Sequence, residues 1–112
     1  MLTSPVTSGN PKGSKSWVAQ TVFDLPLESI RMSVLVIGHA QDKCLRSPVM
    51  QNERITARTE GVREQLVRVG GGPGRAGLSA VEACEGRSPH GFLEQEAEVA
   101  AGIARFTGGA CY

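Results

Sequence analysis

The residues able to do chemistry fall in two short stretches. One is Gly38-His39-Ala40-Gln41-Asp42-Lys43-Cys44, and the other runs from Gly70 to Gly91 and holds Cys84 and His90. An acid that hydrogen-bonds an imidazole fixes its tautomer and stabilises its cation, which is half of a nucleophilic triad. Asp42 and His90 are the candidates for those two roles, on condition that the chain brings the stretches together. His39, Asp42, Cys44, Cys84 and His90 are also metal-ligand types, but their irregular spacing matches no zinc pattern, so no metal and no cofactor is expected. The three cysteines include no C-x-x-C pair, which excludes zinc ribbons and fingers. Cys44 and Cys84 either form a disulfide tying the two stretches or stay reduced as small side chains suited to burial. Cys111, one residue from the end, is expected as a free, exposed thiol.

The elements that must position these residues follow from local pattern. Ser33-Val34-Leu35-Val36-Ile37 is β-branched and apolar without alternation, as in a parallel strand buried on both faces, and Gly38 is expected to end it. Ser47-Pro48 offers a hydroxyl cap followed by proline at the first helical position, predicting a helix over 48–59 that Gly61 stops. Arg63 to Val69 reads as a second strand, closed by Gly70-Gly71-Gly72-Pro73-Gly74. Residues 70–91 are expected as a long loop with one helical turn in 78–84. Leu93, Ala97, Ala100 and Ala104 recur at helical spacing, with Ile103 and Phe106 widening the apolar face. Glu94, Glu96 and Glu98 at the start, Arg105 at the end and Gly108 as the stop complete a terminal helix. Residues 1–24 read as a loop-rich segment with turns at Ser8-Gly9-Asn10-Pro11 and Lys12-Gly13-Ser14, and Leu25 to Ile30 as a single turn. The order strand, helix, strand, loop, helix predicts an α/β fold with a partial parallel sheet and flanking helices. Loops beyond the carboxyl ends of neighbouring parallel strands, about 4.8 Å apart, overhang one rim, where Asp42 and His90 can meet.

The stretch Val34-Leu35-Val36-Ile37-Gly38-His39-Ala40-Gln41-Asp42-Lys43-Cys44, followed by Ser47-Pro48, resembles the acid-bearing strand and loop of α/β-hydrolase-fold serine hydrolases. Ser88-Pro89-His90-Gly91-Phe92, running into an acidic-then-apolar helix, resembles their histidine loop and last helix. The order acid before histidine also agrees with that family. The resemblance covers roughly residues 25–107, and it implies Asp42 as triad acid, His90 as general base, and ester or other acyl bonds as the substrate class. Ser33 departs from the family in standing where a proline often precedes the strand. A larger departure is the nucleophile: no G-x-S-x-G occurs. Ser79, in Gly77-Leu78-Ser79-Ala80-Val81, has only the leading glycine, and Ser14 and Ser16 have neither. Without a nucleophile the isolated chain is expected to be inactive as a hydrolase. The three parts are then a loop-rich 1–24, 25–107 as the C-terminal part of a larger α/β-hydrolase-like domain, and a short tail 108–112. The alternative is a non-catalytic piece, or an interaction module that self-associates through an exposed sheet edge.

Composition narrows the partners. Twelve basic against eleven acidic residues leave +1, too little for a surface that tracks phosphates, and five aromatics are too few for a base-stacking platform. Nucleic acid is therefore not an expected partner. The longest apolar run, Val34 to Ile37, is far short of a membrane span, which needs about 20 residues. The first residues lack the apolar core of a secretory signal, so the chain as given reads as cytoplasmic, with an exported parent if Cys44 and Cys84 are bridged. The glycines Gly72-Pro73-Gly74-Arg75-Ala76-Gly77 match G-x-G-x-x-G after a strand, but Gly86 cuts short the helix a dinucleotide would need, and no strand follows. Arg54, Arg58, Arg63 and Arg68, interspersed with Glu53, Glu60 and Glu64, are expected as a solvated mixed-charge face.

Overall fold

The computed structural model describes residues 1–9 and 19–112. Asn10, Pro11, the turn Lys12-Gly13-Ser14 and Ser16 lie outside the described residues. The centre of the molecule is β2 (Val34–His39), in which every residue is buried. It pairs in parallel with β3 (Glu64–Val69), in register from Val34 opposite Glu64 to His39 opposite Val69. On its other side lies β1 (Leu2–Thr3), also parallel, with Leu2 opposite Val36 and Thr3 opposite Ile37. The sheet order among the described residues is β1-β2-β3, and the fold is α/β, a small parallel sheet with helices on its flanks.

Successive strand residues point to opposite faces, and β2 uses both. Leu35 and Ile37 pack with Val69, Phe92, Val99 and Phe106. Val34 and Val36 pack on the other side with Val22, Leu27 and Ile55. Leu35, Val36 and Ile37 have no solvent exposure, and burying each side chain is worth about 1.5–3 kcal/mol. The strand does not stop at Gly38 but runs on to His39. Gly38 is instead a packing glycine: a Cβ there would stand 2.5 Å from Asn52 Nδ2 and 2.9 Å from Val49 Cγ2.

The N-terminal segment is not the plain loop its polar composition suggests. Two residues suffice to add β1, after which Thr7 N–H donates to the Arg46 carbonyl (2.9 Å) and Val22 N–H to that of Val6 (2.8 Å). A 3-10 turn at Leu27–Ser29 occupies the place of the expected single turn and buries Leu27. The expected helix over 48–59 is reduced to a 3-10 turn at Val49–Gln51 and α1 (Glu53–Thr56). Only Ile55 in that span is a buried apolar residue, and helices of this length depend on an apolar face to hold them. Ser47 does not cap it; its hydroxyl donates to the Ser4 carbonyl (3.1 Å).

The terminal helix, α2 (Glu96–Thr107), ends at Gly108. Its core face is Val99, Gly102 and Phe106 with Ile103 beside them, whereas Ala97, Ala100 and Ala104 are exposed. Both sets have helical spacing, and the one with valine, isoleucine and phenylalanine removes more apolar area from water. The last residues fold back: Tyr112 covers Gly102, its N–H donates to Gln65 Oε1 (2.9 Å), and burial raises its phenol pKa. Arg63, expected on a solvated face, lies 4.2 Å over the Phe106 ring and donates to the carbonyls of Phe106 (2.6 Å), Gly109 and Ala110 (3.1 Å), closing the helix end. Arg31–Glu60, Arg58–Glu28 and Arg68–Glu53 are exposed pairs of the kind that adds little stability. Among the described residues no helix is long and apolar enough to cross a membrane.

Gly38→Ala forces a methyl against Asn52 and Val49, and overpacking of this kind costs about 1–3 kcal/mol. Equilibrium denaturant unfolding should register that loss with an unchanged slope.

Candidate acid–base site

The acid loop starts where β2 ends. Asp42 N–H donates to the His39 carbonyl (3.0 Å), turning the chain. Asp42 Oδ1 accepts from Cys44 N–H (2.8 Å), a local bond that aspartate forms readily in turns. That leaves Oδ2 aimed out of the turn, and it lies 2.9 Å from His90 Nδ1. The Asp42 side chain is 1% exposed and that of His90 20%, so the pair is shielded from water on the acid's side and reachable on the imidazole's.

His90 sits in a 3-10 turn, Pro89–Gly91. Ser88 caps it: its Oγ accepts from His90 N–H (3.2 Å), and its proton is shared between the carbonyls of Glu85 (2.7 Å) and Ala83 (2.9 Å). Pro89 presets the first φ of the turn. A Cβ on Gly91 would overlap the Gly86 carbonyl, so a close backbone approach requires glycine next to the histidine. Phe92, at φ 57°, then swings into the core. From the far side of the sheet, Ser4 Oγ donates to the His90 carbonyl (2.7 Å). Ser4 holds a left-handed φ of 41° just past β1, an unusual setting for a residue with a Cβ. The ends of β1 and β2 and the loop after β3 thus meet at His90.

Two further links hold the loops. Cys44 and Cys84, separated by 40 in sequence, form a disulfide, while Cys111 is free and exposed. His39 is buried, accepting at Nδ1 from Gln41 N–H (3.0 Å). Its Nε2–H therefore donates, towards Gln95 Oε1 (2.8 Å) and the Gly71 carbonyl (3.1 Å). Gln95 Nε2 in turn donates to the Gly70 carbonyl (2.6 Å). His39 is a neutral strut between the end of β2, the glycine loop and the start of α2. The roles of Ser4 and Ser88 escape the sequence pattern. The pair Ser88-Pro89 is the signal that could have marked the cap, and nothing marks Ser4.

The chemistry of the arrangement follows from donor counting. A carboxylate only accepts, so Nδ1 carries a proton, and in the neutral ring Nε2 then presents its lone pair. That is the form of imidazole that takes a proton from a hydroxyl. Ser79 is engaged elsewhere: its hydroxyl accepts from Glu82 N–H (3.2 Å) and Glu82 Oε2 accepts from Ser79 N–H (2.8 Å). The Ser79 hydroxyl first, and its N–H second, hold the Glu82 carboxyl below its ordinary pKa. Asp42, Cys44 and His90 present their ligand-type atoms within 4.8 Å of one another, and His39 is not in that group. Alongside lies an open cleft of about 330 Å³. Gln41, Lys43 and Pro89, sequence neighbours of Asp42 and His90, line it with Arg75 and Leu78. No protein family, curated protein or solved structure matches the chain.

Replacing both Cys44 and Cys84 by serine frees a loop of 40 residues' separation, and loss of such a constraint costs about 2–4 kcal/mol. Denaturant unfolding of the double variant should show that loss, and amide exchange should rise first between residues 70 and 91.

Proposed function

We propose that this chain supplies the acid and the general base of a serine-type hydrolase acting on ester or other acyl bonds, as the C-terminal portion of an α/β-hydrolase-like fold. The 2.9 Å contact between Asp42 Oδ2 and His90 Nδ1 carries the reading. Asp42 orients the imidazole and stabilises its cation; His90 Nε2 takes the proton of a serine hydroxyl and returns it to the leaving group. No G-x-S-x-G segment occurs in the sequence, so the nucleophile and its oxyanion donors come from further polypeptide. The cleft beside the pair, with Lys43, Arg75 and Leu78 in its lining, would receive part of a small acyl substrate. The Cys44–Cys84 bridge is compatible with export of the parent protein.

A second reading has one observation in its favour. β3 ends the sheet, with no strand on its outer side among the described residues, and Glu64 to Arg68 are exposed or half-buried. That edge can accept a strand, either from the rest of a hydrolase sheet or from a second copy of a non-catalytic module.

The 112-residue chain should not react with a fluorophosphonate serine probe. Joined to upstream coding sequence that contains a G-x-S-x-G segment, it should be labelled at that serine. Asp42→Asn in that longer protein should then lower kcat by about 10⁴-fold, as expected when the orienting acid is neutralised. Labelling of the short chain, or full activity of the longer Asp42→Asn protein, contradicts the proposal.

A further inference from the structure

We propose that, once the Cys44–Cys84 bond is reduced, the two thiolates join Asp42 Oδ2 and His90 Nδ1 as a four-ligand site for a zinc-like divalent cation. The inference rests on the geometry of these side chains and not on the hydrolase reading. The ligand atoms of Asp42, Cys44 and His90 already lie within 4.8 Å of one another, and Cys84 is the bonded partner of Cys44. Cys44 is 3% exposed and the Asp42 side chain 1%, so two of the donors are dry, while His90 and Cys84 are half-buried and leave the cation a way in. Metal–ligand bonds of about 2.0–2.3 Å put the corners of a tetrahedral zinc site about 3.3–3.8 Å apart. Asp42 and His90, now 2.9 Å apart, need to part by only a few tenths of an ångström. The sulfurs reach the required separation once their bond is gone. Cys44 N–H stays on Asp42 Oδ1, supplying the outer hydrogen bond that orients a carboxylate ligand.

The balance is simple. A dithiol reductant gives two electrons and two protons to the disulfide, becoming a disulfide itself and leaving two thiols. The cation then displaces the two thiol protons, and the proton on His90 Nδ1 moves to Nε2 as the ring ligates through Nδ1. Metal binding thereby removes the lone pair at Nε2 and the acid–imidazole hydrogen bond together. The same four side chains are a bridge beside an acid–base pair under oxidising conditions and a metal centre under reducing ones. The irregular spacing in sequence hides this, because the ligands meet only across the rim of the sheet.

The test uses the full 112-residue chain carrying Cys111→Ser, reduced with a phosphine under argon and titrated with Co²⁺ and then Zn²⁺. The expected result is one cation per chain, a thiolate-to-cobalt absorption band, intense tetrahedral d–d bands, and their loss on adding zinc. The reduced protein should bind zinc at least about 100-fold more tightly than the oxidised one, since loss of even an outer-sphere partner weakens a site by 10–100-fold. Asp42→Asn and His90→Gln should each weaken binding at least about tenfold by the same reasoning. Binding no tighter after reduction overturns the proposal, as does binding undiminished in both variants. If the reduced, metal-free chain loses its far-UV circular dichroism, zinc should restore it, as when metal binding and folding are coupled. Failure to restore it overturns the proposal as well.

Discussion

Burial of β2 on both faces is the constraint on which everything else depends. An unbroken apolar run can sit only in the middle of a sheet with cover above and below. That requirement sets α2 against Leu35 and Ile37, and the 3-10 turn at Leu27–Ser29 and Ile55 against Val34 and Val36. A slip of one residue would exchange the two faces and misplace every contact. Once the register Val34–Glu64 to His39–Val69 is fixed, the loops after β2 and β3 must leave from the same rim. Asp42 and His90, 48 residues apart in sequence, are neighbours for that reason.

The rim alone would not hold an imidazole to hydrogen-bond precision. His90 is held at its N–H by Ser88 and at its carbonyl by Ser4. The buried Phe92 follows two residues later. The disulfide adds a covalent limit on how far the acid loop and the histidine loop can separate. The backbone hydrogen bonds and the ring contact with Asp42 use different atoms of His90. The side chain can therefore be oriented by the acid while its other nitrogen stays free for a proton. A buried carboxylate left without a partner costs several kcal/mol, so the imidazole also serves Asp42, and the stability of the loop and the chemistry of the site are linked.

How much of this the sequence discloses depends on whether the signal is local. The β-branched run of β2, the glycine stop after α2 and the strand before the glycine cluster are local patterns, and each element is present. Asp42 and His90 stand out because each follows a strand that pattern alone locates. The N-terminal strand leaves no local mark, because Leu2 and Thr3 are too few to show a period and their pairing with Val36 and Ile37 is entirely non-local. The sequence leaves the face of α2 open between two sets, because alanines and larger apolar residues share helical spacing and burial selects by area. A helix does not run through 48–59, because a good start signal does not substitute for an apolar face. Arg63 looks like a solvated charge in sequence because its partners, the carbonyls at the end of α2, lie more than 40 residues away.

Ring-nitrogen NMR of the oxidised 112-residue chain, at a pH where the imidazole is neutral, reads directly whether Asp42 fixes the tautomer of His90. Nδ1 should carry the proton, with its resonance coupled to a strongly deshielded hydrogen, and Nε2 should show the shift of an unprotonated nitrogen. Asp42→Asn should abolish that pattern. A neutral His90 that carries its proton on Nε2, as free histidine prefers, or a pattern unchanged by Asp42→Asn, would show that Asp42 does not set the tautomer.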